Sequence, residues 1–132
     1  MSYLIDTDWV IDHLNNVESI TRRLYELAPE GLALSVISLG ELYEGVYYSR
    51  NPEESEASLQ RFLNRELTLL GIDEDTCKLF GRERGRLRII GQRMGDMDLM
   101  IAATALQYDL TLLSNNRRHF NRIEELCIES TS

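Results

Sequence analysis

The sequence is poor in what staples or stiffens a small protein: among 132 residues there are two cysteines, two prolines and one tryptophan. Cys77 and Cys127 are far apart, with no Cys-x-x-Cys pairing and no histidine at zinc-ligand spacing, which argues against a disulfide scaffold and against zinc. The expectation is two buried free thiols in a reducing compartment. Pro29 and Pro52 alone punctuate the chain, and no Gly/Ser linker, repeat or low-complexity tract divides it, so a single domain over residues 1–132 is expected. Long apolar runs are missing too. The longest uncharged stretches, such as 99–108, reach about half of the roughly 20 residues that span a bilayer. Asp6 and Asp8 follow Met-Ser-Tyr-Leu-Ile directly, leaving no basic region and apolar stretch of a signal peptide. A soluble cytoplasmic protein without membrane contact is the expectation.

An excess of positive charge is also lacking. Twenty-two acidic residues outweigh fourteen basic ones for a net charge of −8, and the sequence pI is about 4.7. That excludes a simple basic coat for nucleic acid and electrostatic attachment to anionic lipid. What is present is an ordinary apolar share of 43%, enough for a core. Short apolar runs predict strands at Tyr3–Ile5, Leu32–Val36, Leu67–Ile72, Leu110–Leu113 and Cys127–Ile128. Helices are predicted between them, over Thr7–Leu14, Ile20–Leu27, Leu39–Ser49, Glu53–Glu66, Asp75–Ile90 and Met97–Tyr108, with a short one near Arg117. Alternation of strand and helix predicts an α/β fold whose central, mainly parallel sheet is covered on both faces. The segment 97–108 is apolar nearly all round, which suits a buried helix.

In an open parallel sheet the ligand site lies at the carboxyl ends of the strands. Acidic residues stand there. Asp6 follows the first strand, although Asp6-Thr7 is equally a helix-start signal. Glu41 lies past the second strand, and Ser38-x-x-Glu41 has capping-box spacing that competes with any chemical role. Asp96 and Asp98 open the apolar helix; one can cap it, and the second exceeds what capping needs, so Asp96 reads as structural and Asp98 as functional. After the fourth strand, Ser114 and Asn116 are ordinary turn residues that also offer neutral oxygens. If the sheet is parallel, Asp6, Glu41, Asp98, Ser114 and Asn116 converge. An all-oxygen cluster of this kind suits Mg²⁺ or Mn²⁺. With such an ion, water can be activated and charge on a phosphodiester stabilised, which points to hydrolysis of a nucleic-acid backbone.

Four blocks occur in order: Leu4-Ile5-Asp6-Thr7-Asp8-Trp9, Ser38-Leu39-Gly40-Glu41-Leu42-Tyr43, Asp98-Leu99-Met100-Ile101-Ala102-Ala103 and Leu112-Leu113-Ser114-Asn115-Asn116 with Phe120. Together they resemble the PIN domain, specifically VapC-type toxins of VapBC toxin–antitoxin modules, over essentially the whole chain. The resemblance implies a three-layer α/β/α fold and a Mg²⁺- or Mn²⁺-dependent endoribonuclease, the toxin of a type II system. It also implies inhibition by a cognate VapB-type antitoxin and a homodimer. Asp6, Glu41 and Asp98 match the three family carboxylates, and Asp96 a position that is often acidic. Asn116 falls where many members carry a fourth acid, and Ser114 where Thr or Ser is usual, with Thr7 as a supporting residue. A catalytically weak PIN-like module that binds RNA or protein is the alternative, and the neutral Asn116 is its best support.

The charge is unevenly spread: residues 78–93 carry +5 and the remainder −13. Thirteen of the fourteen basic residues are arginine, which suits bidentate phosphate contact. Arg82 and Arg86 form one helical row with Lys78, while Arg84 and Arg88 lie across an apolar arc; the competing reading is a solvated face ion-paired to Glu53, Glu54 and Glu56 or to a partner. Arg117 and Arg118, beside the expected metal site, are candidates to touch RNA phosphate. His13 and His119 read as isolated surface or turn residues. Trp9, Tyr43 and Tyr47 are candidates to line an antitoxin groove, with a core role for Trp9 and Tyr43 as the alternative. Gly81 and Gly85 inside a helix suggest close approach of another helix, for example in a dimer.

Overall fold

The computed structural model of the protein describes residues 1–131. Five strands, β1 (Tyr3–Ile5), β2 (Leu32–Ser35), β3 (Leu67–Leu70), β4 (Thr111–Leu113) and β5 (Ile128–Glu129), pair in parallel in the order β3-β2-β1-β4-β5. Between them lie α1 (Thr7–Leu14), α2 (Glu18–Leu27), α3 (Val36–Tyr47), α4 (Pro52–Leu63), α5 (Glu74–Ile89), α6 (Asp96–Gln107) and α7 (Arg117–Phe120). The chain builds outward from β1 to β3 on one side, then returns to add β4 and β5 on the other. The strand order therefore reverses between β1 and β4, and their carboxyl ends open a crevice there.

Side chains on a strand alternate between faces, and the two cores follow that period of two. Leu4, Ala33 and Leu112 face one core with Leu87 of α5, Leu99, Ile101, Ala102 and Ala105 of α6, and Phe120 of α7. Ile5, Leu34 and Leu113 face the other, with Trp9 and Val10 of α1, Leu24 of α2, Leu42 of α3 and Phe62 of α4. The result is the expected three-layer α/β/α arrangement. As its composition suggests, α6 is buried along most of its length, and its one polar interior group, the Thr104 hydroxyl, donates to the Met100 carbonyl at 2.9 Å. Among the described residues no helix is long and apolar enough to cross a membrane.

Several local expectations are corrected. Helix α3 begins at Val36, directly from the strand, because the Ser35 hydroxyl caps it by accepting from the Ile37 amide. Ser38 is thus a buried helical residue rather than a cap, and Glu41 sits in the second turn with no capping duty. Gly95, not Asp96, is the N-cap of α6. Both cysteines are exposed, since Cys77 points off the outer side of α5 and Cys127 precedes an edge strand. Trp9 is fully buried in the core and lines no groove.

Within the chain, nothing approaches Gly81 or Gly85: a Cβ at either would meet no atom within 4 Å. Alanine has the higher helix propensity, so G81A/G85A should stabilise the isolated chain by roughly 1–2 kcal/mol in urea titrations. A loss of stability that grows with protein concentration would instead place a second copy against these glycines.

Candidate active site

The crevice between β1 and β4 assembles the polar residues. Asp6 caps α1, its Oδ1 accepting from the Thr7 amide at 2.9 Å, while its Oδ2 accepts from the Ser114 hydroxyl at 2.7 Å. Only 4% of Asp6 is exposed. Burial, and then the neighbouring Asp8 carboxylate, push its pKa up to about 7 against the opposing pull of the Ser114 and Thr7 hydrogen bonds. Asp8 is raised as well, by burial above all. Its Oδ2 accepts from the Asn115 amide at 3.0 Å, and its Oδ1 is buried with no hydrogen-bond partner among the described residues.

From Asp6 a chain of polar contacts runs along the crevice to Asp98. The Asn116 amide donates to Ser114 Oγ at 3.0 Å, and the Asn116 carboxamide nitrogen lies 3.0 Å from His119 Nδ1. That same Nδ1 is 3.4 Å from Asp98 Oδ2. A single ring nitrogen cannot both accept from Asn116 and donate to Asp98, so the tautomer of His119 selects between them. Asp98, at the third position of α6, stands in its first turn, where the helix dipole favours negative charge. Glu41 joins from α3: its Oε1 accepts from the Thr7 hydroxyl at 2.7 Å. Thr7 therefore bridges the end of β1 to α3, a supporting part.

Asn115 fastens the loop that carries Ser114 and Asn116. Its Oδ1 accepts from the Trp9 indole at 3.1 Å and from the Thr131 amide at 2.8 Å. The Ser130 hydroxyl donates to the Ser114 carbonyl at 2.5 Å, and the Ser114 amide donates to the Glu129 carbonyl at 3.0 Å.

The remaining candidates are placed differently. Asp96 turns away toward α5, where Arg84 Nε donates to its Oδ1 at 3.0 Å. Arg82 pairs with Glu83 and Glu125, and Arg86 with Glu83 and the Arg122 carbonyl, so both guanidiniums already have partners within the chain. The acids that pair with this helix are thus Glu74, Glu83, Asp96 and Glu125, not Glu53, Glu54 and Glu56. Arg117 donates to the Ile128 carbonyl at 2.8 Å, while Arg118 is exposed. His13 is half-buried, bonded to Thr21 Oγ1 at 2.8 Å and tilted against Phe62.

The donor set suits a hard divalent cation. All its members are oxygens, two carboxyls are buried side by side, and one oxygen of Asp8 is left without a partner. Among the described residues, however, no three acidic, histidine or cysteine side chains stand together as a ready set of ligands, because Glu41 turns to Thr7 and Asp98 to His119.

Residues 3–126 match the family model of the PIN domain. The chain belongs to the PIN-domain family. Among its relatives, "Ribonuclease VapC2" of Rickettsia felis is 33% identical over 132 residues, covering 98% of both chains. The "tRNA(fMet)-specific endonuclease VapC" of Shigella flexneri is 29% identical, over 100% of this chain and 99% of its own. Among solved structures, that of VapBC2 from Rickettsia felis bound to a DNA fragment from its promoter contains a chain with a TM-score of 0.93 and 30% identity, covering 100% of each. This PIN domain is therefore VapC-like along its whole length. Two residues of the crevice, Asp8 and His119, are not among the candidates read from the sequence. Asp8 was legible as a second acid two residues after Asp6 at a strand-to-helix junction; for His119, which depends on a contact across 21 positions, no local signal existed.

Proposed function

We propose that the protein is a metal-dependent endoribonuclease acting as the toxin of a type II toxin–antitoxin pair, with a VapB-type antitoxin as its partner. The observation that carries this reading is the acidic crevice at the strand-order reversal, where Asp6, Asp8, Ser114, Asn116, His119 and Asp98 are linked and Glu41 approaches through Thr7. The names of its relatives support it.

Asp6, Glu41 and Asp98 would hold Mg²⁺ or Mn²⁺, and Asp8 Oδ1, buried without a hydrogen-bond partner among the described residues, would be a further oxygen donor. Asp96, paired to Arg84, is not assigned to it, and Asn116 contributes at most a neutral oxygen. When bound, such a cation supplies the positive charge that makes water acidic enough to attack and that offsets charge building on the phosphodiester. Ser114 and Thr7 orient Asp6 and Glu41 by donating to one oxygen of each, leaving the second lone pairs for other work. His119 holds Asp98 on the crevice side when its Nδ1 carries a proton and releases it when Nδ1 accepts from Asn116. Arg118, exposed at the start of α7, is available to an RNA phosphate.

A groove of about 440 Å³ between α1, α3 and α4 is lined by Ile11, Leu14, Leu42, Val46 and Arg50, and Glu41 stands at its edge. An antitoxin segment seated there would reach the crevice, which gives the partner a route to inhibition. Homodimer formation is part of the same reading, and the open face over Gly81 and Gly85 is where it would be sought.

The test is cleavage of a mixed RNA pool. The purified protein should cut in Mg²⁺ or Mn²⁺, stop in EDTA and resume when the metal is returned. RNA binding without cutting under every metal would replace the enzyme with a binding module, the reading that the neutral Asn116 favours.

A further inference from the structure

A second polar cavity, of about 300 Å³, lies between the end of α5 and the start of α6 and is lined by Arg84, Arg88, Arg93, Asp96 and Gly95 over a floor of Leu87, Met94 and Leu99. We infer that this cleft is a nucleotide subsite of the ribonuclease, in which Arg88 and Arg93 hold a backbone phosphate of single-stranded RNA next to the scissile bond. The inference rests on the ribonuclease reading and adds the place where substrate is gripped.

Four observations point to it. First, the basic segment divides by partner. Arg82 and Arg86 are consumed by Glu83, Glu125 and a carbonyl, and Arg84 by Asp96, whereas Arg88 and Arg93 make no ion pair or side-chain hydrogen bond among the described residues. Three guanidiniums against one carboxylate leave the cleft positive in a chain of charge −8. An unpaired concentration of arginine in an acidic protein marks where an anion is wanted.

Second, the arginines are held in place by backbone. Helix α5 ends with Gly91 at φ 72°, the Gln92 amide donating to the Leu87 carbonyl at 2.9 Å and the Gly91 amide to the Arg88 carbonyl at 3.2 Å. This pair of bonds is a Schellman ending, which folds residues 92–95 back over the helix. The Arg93 carbonyl is fixed by a bond from the Arg122 guanidinium. Arg93 and Arg88 thereby line the same cleft from a backbone that is held at both points.

Third, the cleft has the mixed lining that a nucleotide needs. Leu87 and Leu99 are buried and Met94 half-buried beneath the charged rim. Met94 alone of these is open enough to meet a base or ribose face, which a site for a small inorganic anion does not require. Fourth, the cleft and the crevice both draw on the start of α6. Gly95 has no side chain to cap the helix, and Asp98 lies one turn further on. The acids of that turn are directed elsewhere, Asp96 to Arg84 and Asp98 to His119, and neither pairs with Arg88 or Arg93. An acidic protein segment would satisfy the guanidiniums as well; the ribonuclease reading, which requires an RNA strand to run toward Asp98 on the same helix, makes RNA the occupant.

The test measures binding of a short fluorescent single-stranded RNA of mixed sequence in EDTA, together with metal-dependent cleavage of the same RNA. R88A/R93A should weaken binding about tenfold, raise KM correspondingly, and reduce the slope of log affinity against log salt by about 0.7, from one phosphate no longer neutralised. R22A/R61A, which removes two exposed arginines on α2 and α4, matches the change in net charge and should leave affinity, KM and slope unchanged. Arg88 and Arg93 are exposed and unpaired, so folding is not at risk. Unchanged affinity and slope in R88A/R93A, with cleavage by the wild type intact, would overturn the subsite while leaving the ribonuclease reading standing. Absence of any metal-dependent cleavage by the wild type would overturn the ribonuclease reading itself. If R88A/R93A instead weakens capture of the antitoxin and not of RNA, the cleft belongs to the protein partner and the inference is wrong.

Discussion

Asp6→Asn should abolish RNA cleavage, by roughly a thousandfold or more if its charge is needed to hold the cation, and yet make the protein more stable at pH 8. The second half follows from the sign of the pKa change. Folded Asp6 titrates at about 7 against an ordinary 3.8, so between these values the folded state holds a proton that the unfolded state has lost. The stability associated with this group is complete below about pH 4 and is lost as pH rises through 7. Above that, the folded chain keeps a buried carboxylate beside Asp8 with no cation to offset it. Asparagine still accepts the Thr7 amide and caps α1, but carries no charge. Thermal melts from pH 5 to 8 should therefore fall steeply for the wild type and less steeply for D6N, and Mg²⁺ should raise the wild-type melting temperature at pH 8 more than that of the variant. A variant that melts lower than wild type at pH 8, with the same pH slope, would show that burial of Asp6 carries no such penalty.

Trp9→Ala should be the most damaging single change to the fold, costing about 3–5 kcal/mol in urea unfolding. The side chain is fully buried in the core beneath α1, and it is also the donor that fixes Asn115. Trp9→Phe separates the two roles. It fills most of the volume but leaves Asn115 Oδ1 with the Thr131 amide as its nearest donor, so about 1 kcal/mol should go with the indole bond and a larger share of activity should go with the loop. Equal losses of stability in the two variants would mean that packing contributes little beside the hydrogen bond.

The strands and helices were legible because their signals are local. Runs such as Leu-Ala-Leu and Thr-Leu-Leu, and the all-round apolar stretch of α6, depend on nothing distant. The convergence of Asp6 with Ser114 was legible one step later, since a parallel sheet places the residues after β1 and β4 side by side. Caps were misread where two serines competed: Ser35 and Ser38 both suit an N-cap, and only the point at which β2 stops pairing decides between them. The ion-pair partners of the α5 arginines are not legible for a related reason. Helical periodicity separates Arg82 and Arg86 from Arg84 and Arg88, but it cannot say which row meets Glu125 and which meets α6.

The hydrogen bonds from residues 129–131 to Ser114 and Asn115 give the site an order of completion during synthesis. Every candidate catalytic side chain, from Asp6 to His119, leaves the ribosome before the segment that pins the loop carrying Ser114 and Asn116. A nascent chain that has not yet released residues 128–131 also lacks β5, and with it the strand that closes the sheet beyond β4. The crevice is therefore completed only once residues 129–131 have emerged, and a translation product truncated before them should be inert toward the RNA that surrounds it.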